Sequence, residues 1–321
     1  MTLPEPRPAT EARPDLLLEL VHSVRASLLA RGESIASSWV EEAAQDLKAG
    51  RQVGWTLGAE AIAFATARGA RLFGHVHVEG PDDRIDRAET LLAVLVTRLD
   101  AEVPRLEGGV SGLSEEEESE LGTRFARVPG ASLLLRARME RIVPPPLPGG
   151  SLSDPPGVER VPVRSVPLDA LAELDWRAFA GTPDQNLVAD TLAEERQTVA
   201  DMLAGRIGRF LDEASTALLT PEGHLVGAVL TSENSPRTAV LVDLLVEPTH
   251  RRKGLGRFLV LWALRAMTAL GYSTARLWVT ETNRAAWALY VSLGFEVTGR
   301  ARLYRYIRPA ADAEAQPQRA R

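Results

Sequence analysis

Residues 143–162 carry Pro144, Pro145, Pro146, Pro148, Gly149, Gly150, Pro155, Pro156 and Gly157, a density that denies the segment both a helix and a sheet ladder. A chain interrupted this way near its middle cannot build one continuous core. Two domains are therefore expected, and 321 residues are enough for each to bury its own. The predicted boundaries are a tail at 1–13, loosened by Pro4, Pro6 and Pro8, a first domain at 14–143, a linker at 144–159, a second domain at 160–308 and a tail at 309–321.

Composition narrows the function. Apolar residues at 45% and charged residues at 25% are ordinary for a folded globular chain. With 37 basic and 43 acidic residues the net charge is -6, which removes a global electrostatic case for nucleic acid or an anionic membrane as partner. No stretch approaches the ~18 consecutive apolar residues of a membrane span, and the N-terminus lacks the apolar run of a signal peptide, so a cytoplasmic location is expected. The chain has no cysteine, which excludes disulfides, thiolate metal sites and a cysteinyl acyl intermediate. Lysine stands only at Lys48 and Lys253, arginine taking the rest, as in a GC-rich bacterial coding sequence.

Periodicity predicts the elements of the second half. A strand at 161–166 is followed by helices at 168–179 and 187–203 and by strands at 216–220 and 225–231 around Pro221-Glu222-Gly223. The almost wholly apolar strand 238–246 reads as central. A helix at 256–270, a strand at 275–280, a helix capped by Asn283 and stopped by Gly294, and an antiparallel pair at 295–297 and 303–307 complete it. The first half runs in a similar order, with helices at 14–29 and 33–47, strands at 53–57, 61–66 and 71–79, and a helix at 86–99. Leu121-Gly122-Thr123-Arg124-Phe125 leads into a strand at 132–139 much as Leu293-Gly294-Phe295 leads into the last strand, which predicts a degenerate internal repeat.

Between the central strand and its helix lies Arg251-Arg252-Lys253-Gly254-Leu255-Gly256. A tight glycine loop at a helix N-terminus gathers unpaired N–H groups and the positive end of the helix dipole, a natural seat for a diphosphate, and Arg257 adds charge. The spelling fails for a nucleotide P-loop, because Lys253 precedes Gly254 and Arg257-Phe258 follow Gly256. It fails for a dinucleotide fingerprint because Leu259 stands where a third glycine is needed.

A second motif lies downstream, Asn283-Arg-Ala-Ala286-Trp-Ala-Leu-Tyr290-Val-Ser-Leu-Gly294-Phe295. With it, residues 161–307 resemble the GCN5-related N-acetyltransferase (GNAT) family, in which Q/R-x-x-G-x-G/A follows the fourth strand and N-x-x-A-x-x-x-Y-x-x-x-G-F follows the fifth. The resemblance implies an α/β chain with two GNAT-like domains in tandem, each a mixed, mostly antiparallel sheet flanked by helices. It implies an acetyl-CoA-dependent N-acetyltransferase with its cofactor site in the second domain, since the first lacks both motifs.

By that resemblance the backbone of Leu244, Leu245 and Val246 pairs with the pantetheine arm. Arg251, Arg252, Lys253, Gly254, Leu255, Gly256 and Arg257 hold the diphosphate, Asn283 and Ala286 open the helix that lines the cofactor, and Tyr290 donates a proton to the departing sulfur. The acceptor is expected to be a small-molecule amine or a peptide or protein amine. A lysine-like amine, with pKa ~10.4, gives up its proton at neutral pH at a cost of about 4 to 5 kcal/mol, so a base is needed. Asp243 and Glu247 are the acids beside the thioester, an even count apart and so on one face of a regular strand; His250 is more readily structural. Tyr304 or Tyr306 is expected near the acceptor. A non-catalytic acyl-CoA sensor and a scaffold docking a partner through its first half are the alternatives, as monomer or homodimer. Glu115 to Glu118 with Glu120 reads as a solvated helix N-terminus, and His75 and His77 as a surface strand face with no further ligand spacing nearby, so no metal is expected.

Overall fold

The structure, a computed structural model, describes residues 3–30, 38–68, 71–100, 102–143, 152–185, 187, 189–206 and 208–309. The chain forms two compact units, residues 1–135 with 301–321 and residues 136–300. Much of the predicted linker, 144–151, and of the C-terminal tail, 310–321, lies outside the described residues.

The first unit begins with β1 (Arg7–Pro8), α1 (Pro14–Ala30), α2 (Trp39–Lys48), β2 (Val53–Thr56), β3 (Ala61–Arg68) and β4 (Arg71–Val78). It continues with α3 (Arg84–Val96), β5 (Arg105–Ser111), α4 (Glu115–Phe125) and the start of β6 (Ala131–Ile142). In α1 the buried residues Leu17, Leu20, Val21 and Val24 fall at helical spacing and pack with Val40, Ala43 and Leu47 of α2 over Ile62. The predicted tail at 1–13 is only partly loose. Arg7 and Pro8 pair with Thr56 and Trp55, and Ala9 and Ala12 are buried against the same helices, because small residues beside the prolines fit the corner these elements leave. The acidic run opens α4 as expected, with Ser114 and Glu117 in a capping box. The glycine-bearing strand β5 has no apolar alternation in sequence and shows itself only by its pairing.

The second unit repeats the element order with one short strand, β8, added. It takes in β7 (Glu159–Pro162), α5 (Leu168–Phe179), α6 (Leu192–Leu203), β8 (Arg209–Phe210), β9 (Thr216–Leu219), β10 (Leu225–Ser235) and β11 (Thr238–Val246). Then come α7 (Leu255–Ala269), β12 (Thr274–Thr280), α8 (Arg284–Ser292) and the start of β13 (Glu296–Ile307). Its strands run β7-β9-β10-β11-β12-β6, with β8 on β10, and all of these pairings are antiparallel except β11 with β12. An apolar cluster from α7, β11 and β12 fills one face, and a cluster from α5, α6 and β10 fills the other.

Four expectations are corrected here. The strand predicted at 161–166 stops at Pro162 and becomes a 3-10 turn at Val163–Ser165, because Pro162 and Pro167 have no N–H to extend a ladder. The antiparallel pair predicted at the C-terminus is the single strand β13. Residues 136–142, assigned by sequence to the first domain, pair with β12 over Arg136↔Thr280 to Ile142↔Thr274, and so belong to the second unit. Conversely Tyr304 to Ile307 pair with β5, and Tyr304 and Tyr306 are buried in the first unit's core, Tyr304 edge-on to Phe125 at 5.2 Å, which removes them from an acceptor role. Each unit thus takes its last strand from the other half of the sequence. Among the described residues no helix is long and apolar enough to cross a membrane.

Candidate functional site

The site of the second unit starts at a separation of two strands. β11 and β12 pair in parallel only through Thr238↔Thr274, Ala239↔Ala275 and Val240↔Arg276. Beyond that point β11 bulges: Leu230 opposes Asp243 and Thr231 opposes Leu241, leaving Val242 as the extra residue, and a bulge bends a strand away from its neighbour. The edge of Leu244, Leu245 and Val246 that faces β12 is left out of that ladder, while their other edge pairs with Val229, Ala228 and Gly227. Leu244 and Val246 turn toward α7, Leu245 toward α5 and α6.

The first unit offers a contrast. There β4 and β5 stay paired from Arg71↔Arg105 to His77↔Ser111, drawn together where a Cβ on Gly108 would stand 2.2 Å from the carbonyl oxygen of Gly74. The loop that follows, Glu79-Gly-Pro-Asp-Asp83, is acidic and suited to repel a phosphate. His75 and His77 share the hydroxyl of Ser111 at 2.9 and 2.8 Å. Among the described residues no cluster of His, Asp or Glu is arranged to hold a metal ion.

At the mouth of the β11–β12 gap the exposed loop Arg251–Gly254 turns into α7. Gly254 has φ +84°, a left-handed conformation that glycine adopts without strain, and Arg252 at φ +63° also lies in that region. The first-turn amides of Leu255, Gly256 and Arg257 have no carbonyl behind them in the helix. A Cβ on Gly256 would meet only the side chains of Leu289, Val246 and Leu244, at 3.5, 3.6 and 3.9 Å, so packing does not demand this glycine. The free first-turn amides behind the glycine loop fit a diphosphate, and the unpaired edge of β11 fits a pantetheine arm. Within the loop the guanidinium of Arg251 donates to the carbonyls of Ala178 and Val246, that of Arg257 reaches Ser292 at 3.1 Å, and Arg252 and Lys253 are exposed.

Asn283 caps α8, accepting from the Ala286 amide at 3.3 Å, and its side-chain amide donates to Asp184 at 2.8 Å. Tyr290 is buried on the same helix, edge-on to Phe295 at 5.8 Å. Burial, then Asp243 and Asp184, push its phenol above the ordinary range, with Arg136 opposing them, so it stays protonated at any physiological pH.

The two candidate bases are committed differently. Glu247 pairs with Arg177 at 3.0 Å. Asp243 has one carboxyl oxygen buried without a hydrogen-bond partner, and burial, with the charges of Glu195 and Asp184 beyond it, raises its pKa to about 7, Arg136 pulling the other way. Asp175 lies on the same side, raised well above its usual range by burial, Asp243 and Glu195. His250 sits in a 3-10 turn beside Thr249.

Sequence reasoning missed Asp175, Glu195, Asp184 and Arg136. For Asp175 a signal existed, since it falls on the apolar face of α5 among Leu171, Leu174 and Ala178. Arg136 lies ahead of the proline-rich segment, and Asp184 lies between α5 and α6, where no periodicity could mark it.

The comparisons with known proteins agree with this geometry. Residues 168–295 match the model of the acetyltransferase (GNAT) family. A mycothiol acetyltransferase from Kytococcus sedentarius is 30% identical over 70% of this chain and 79% of its own length. The chain belongs to the GNAT family. Members use acetyl-CoA as acyl donor. A mycothiol acetyltransferase from Salinispora arenicola is 35% identical over 55% of the chain, but the match spans 54% of that relative, about half its length. Among solved structures, a GCN5-related N-acetyltransferase from Sphaerobacter thermophilus covers 96% of this chain and 98% of its own at TM-score 0.62 and 20% identity. A tandem GNAT protein from the clavulanic acid biosynthesis pathway covers 95% and 98% at TM-score 0.56 and 16% identity. At such identities these two speak for the fold, a tandem of GNAT units along the whole chain.

Proposed function

We propose that the second unit is an N-acetyltransferase moving an acetyl group from acetyl-CoA to a primary amine by direct attack in a ternary complex. The observation that carries the reading is the β11–β12 gap opening beside the Gly254–Gly256 loop, with Tyr290 and Asp243 at its side. The donor is held by the free edge of Leu244 to Val246 and by the amides of Leu255, Gly256 and Arg257. Bound there, it supplies the activated acyl group. The same free edge offers N–H groups to the thioester oxygen.

Two proton movements remain for the side chains. Asp243 takes a proton from the acceptor, directly or through water, and Tyr290 gives one to the departing sulfur. A phenol held neutral carries the proton that the thiolate needs. A carboxyl of pKa about 7 accepts from an α-amino-type ammonium near 7.7 at a cost of about 1 kcal/mol, and from a lysine-like one near 10.4 at about 5 kcal/mol, which favours the less basic amine. Glu247, already paired with Arg177, is assigned to shaping the acceptor mouth. We assign the protein to the cytoplasm. The closed β4–β5 ladder and acidic loop of the first unit support a single donor site per chain.

Thiol release from acetyl-CoA over a panel of primary amines tests the reading. The panel includes the acceptor of mycothiol acetyltransferases, since relatives bear that name. Release with at least one amine, abolished by blocking the amine, is expected; hydrolysis alone, or no release across the panel, would remove it.

A further inference from the structure

Arg136 comes from a strand that precedes the proline-rich segment, yet it stands within the candidate site. It pairs in register with Thr280 at the end of β12. Its guanidinium lies 3.8 Å from Asp184, with side-chain exposures of 18% and 9%, so the two charges meet largely out of water. Asp184 is itself fixed, accepting from the hydroxyl of Thr280 and from the side-chain amide of Asn283. The cation therefore belongs to a clamp joining the end of β12, the cap of the helix bearing Tyr290 and the segment between α5 and α6.

Asp243, whose buried oxygen has no hydrogen-bond partner, feels both charges of the clamp, Arg136 favouring its anion and Asp184 opposing it. The charged and titratable groups around it are Glu195 from α6, Asp175 from α5, Asp184 from the intervening segment, Tyr290 from α8 and Arg136 from β6. Arg136 is the one cation in this set. Burial and neighbouring carboxylates make Asp243 a poorer anion, and a carboxyl that cannot ionise cannot take a proton from an amine.

We infer that Arg136 is a positioning residue of the transfer: its guanidinium orders Asp184 and keeps the Asp243 carboxyl able to serve as proton acceptor. The inference rests on Asp243 being the base, and it gives the first half of the sequence a part in the chemistry of the second unit.

Full-length Arg136→Met and Arg136→Lys test it, folding being checked by thermal unfolding and CoA binding. In Arg136→Met the acid limb of kcat/KM should move up by about one pH unit, cutting turnover near neutrality about tenfold and restoring it at higher pH, with KM for acetyl-CoA within about twofold. Arg136→Lys, which keeps the charge, should hold the limb near its original place. A uniform loss at all pH, with the limb unmoved, would mean the arginine only ties down Asp184 and would overturn the inference. A cycle of Arg136→Met and Asp243→Asn on unfolding free energy needs no turnover: coupling should be present near pH ~8 and absent near pH ~5. Equal or absent coupling at both overturns the inference. Wild-type protein that releases no thiol while showing the coupling would defeat the transferase reading alone.

Discussion

Replacing Asp243 by asparagine should make the protein more stable at alkaline pH while disabling it. The carboxyl shifts from an ordinary 3.8 to about 7 on folding. Below about pH 4 it is protonated in both the folded and the unfolded chain and costs nothing. As pH rises through about 7, the folded state must ionise it away from water, and the stability present in acid is lost. A displacement of about three units, at about 1.4 kcal/mol each, bounds the loss at about 4 kcal/mol. Asp175 and Glu195 titrate with it and carry part of that cost, so an effect on the order of 2 to 4 kcal/mol is expected. Urea unfolding of wild type and Asp243→Asn near pH ~5 and pH ~8 isolates it, because any penalty for burying an amide is the same at both and cancels. Part of the loss is already present at pH ~5, where the unfolded carboxyl is ionised, so between the two pH values the variant should gain on wild type by about 1.5 to 2.5 kcal/mol, and its turnover should fall about 10²- to 10⁴-fold. A difference between the two proteins that does not change with pH would refute the electrostatic reasoning. Unchanged turnover would refute the assignment of the base.

Other substitutions separate holding from chemistry. Tyr290→Phe should lower kcat about 10²-fold or more with acetyl-CoA affinity little changed, read by steady-state kinetics beside calorimetry. Gly256→Ala should leave stability equal or raised by about 0.5 to 1 kcal/mol, through helix propensity and ordinary contacts, while weakening CoA binding about tenfold, since its methyl would crowd the first-turn amides proposed to hold the diphosphate. Asn283→Ala removes a cap and the bond to Asp184, and should cost about 1 to 2 kcal/mol in denaturant unfolding.

The sequence reading reached the fold through features with a strict local cause. The apolar run of β11, the glycines that start α7 and follow α8, and the cap at Asn283 each prescribe a backbone state, and the second half of the fold follows from them. The exchange of last strands between the two halves was not legible, because Arg136 to Ile142 and Tyr304 to Ile307 alternate in the same way whichever strand they join. The same exchange hid Arg136. The acidic cluster was half visible, since Asp243 could be found on its strand, while its neighbours Asp175, Glu195 and Asp184 gain meaning only when α5 and α6 fold over that strand. Arg251 carries a contact that its motif does not announce, its side chain donating to the carbonyls of Ala178 and Val246.

The central claim is that one donor site exists per chain, at the β11–β12 gap and its glycine loop. Titration calorimetry of the full-length protein with CoA measures it directly. The account predicts one CoA per chain, with binding weakened by Gly256→Val and unchanged by Gly80→Val in the corresponding loop of the first unit, provided that variant remains folded by circular dichroism. Two CoA per chain, or binding indifferent to Gly256→Val, would contradict it.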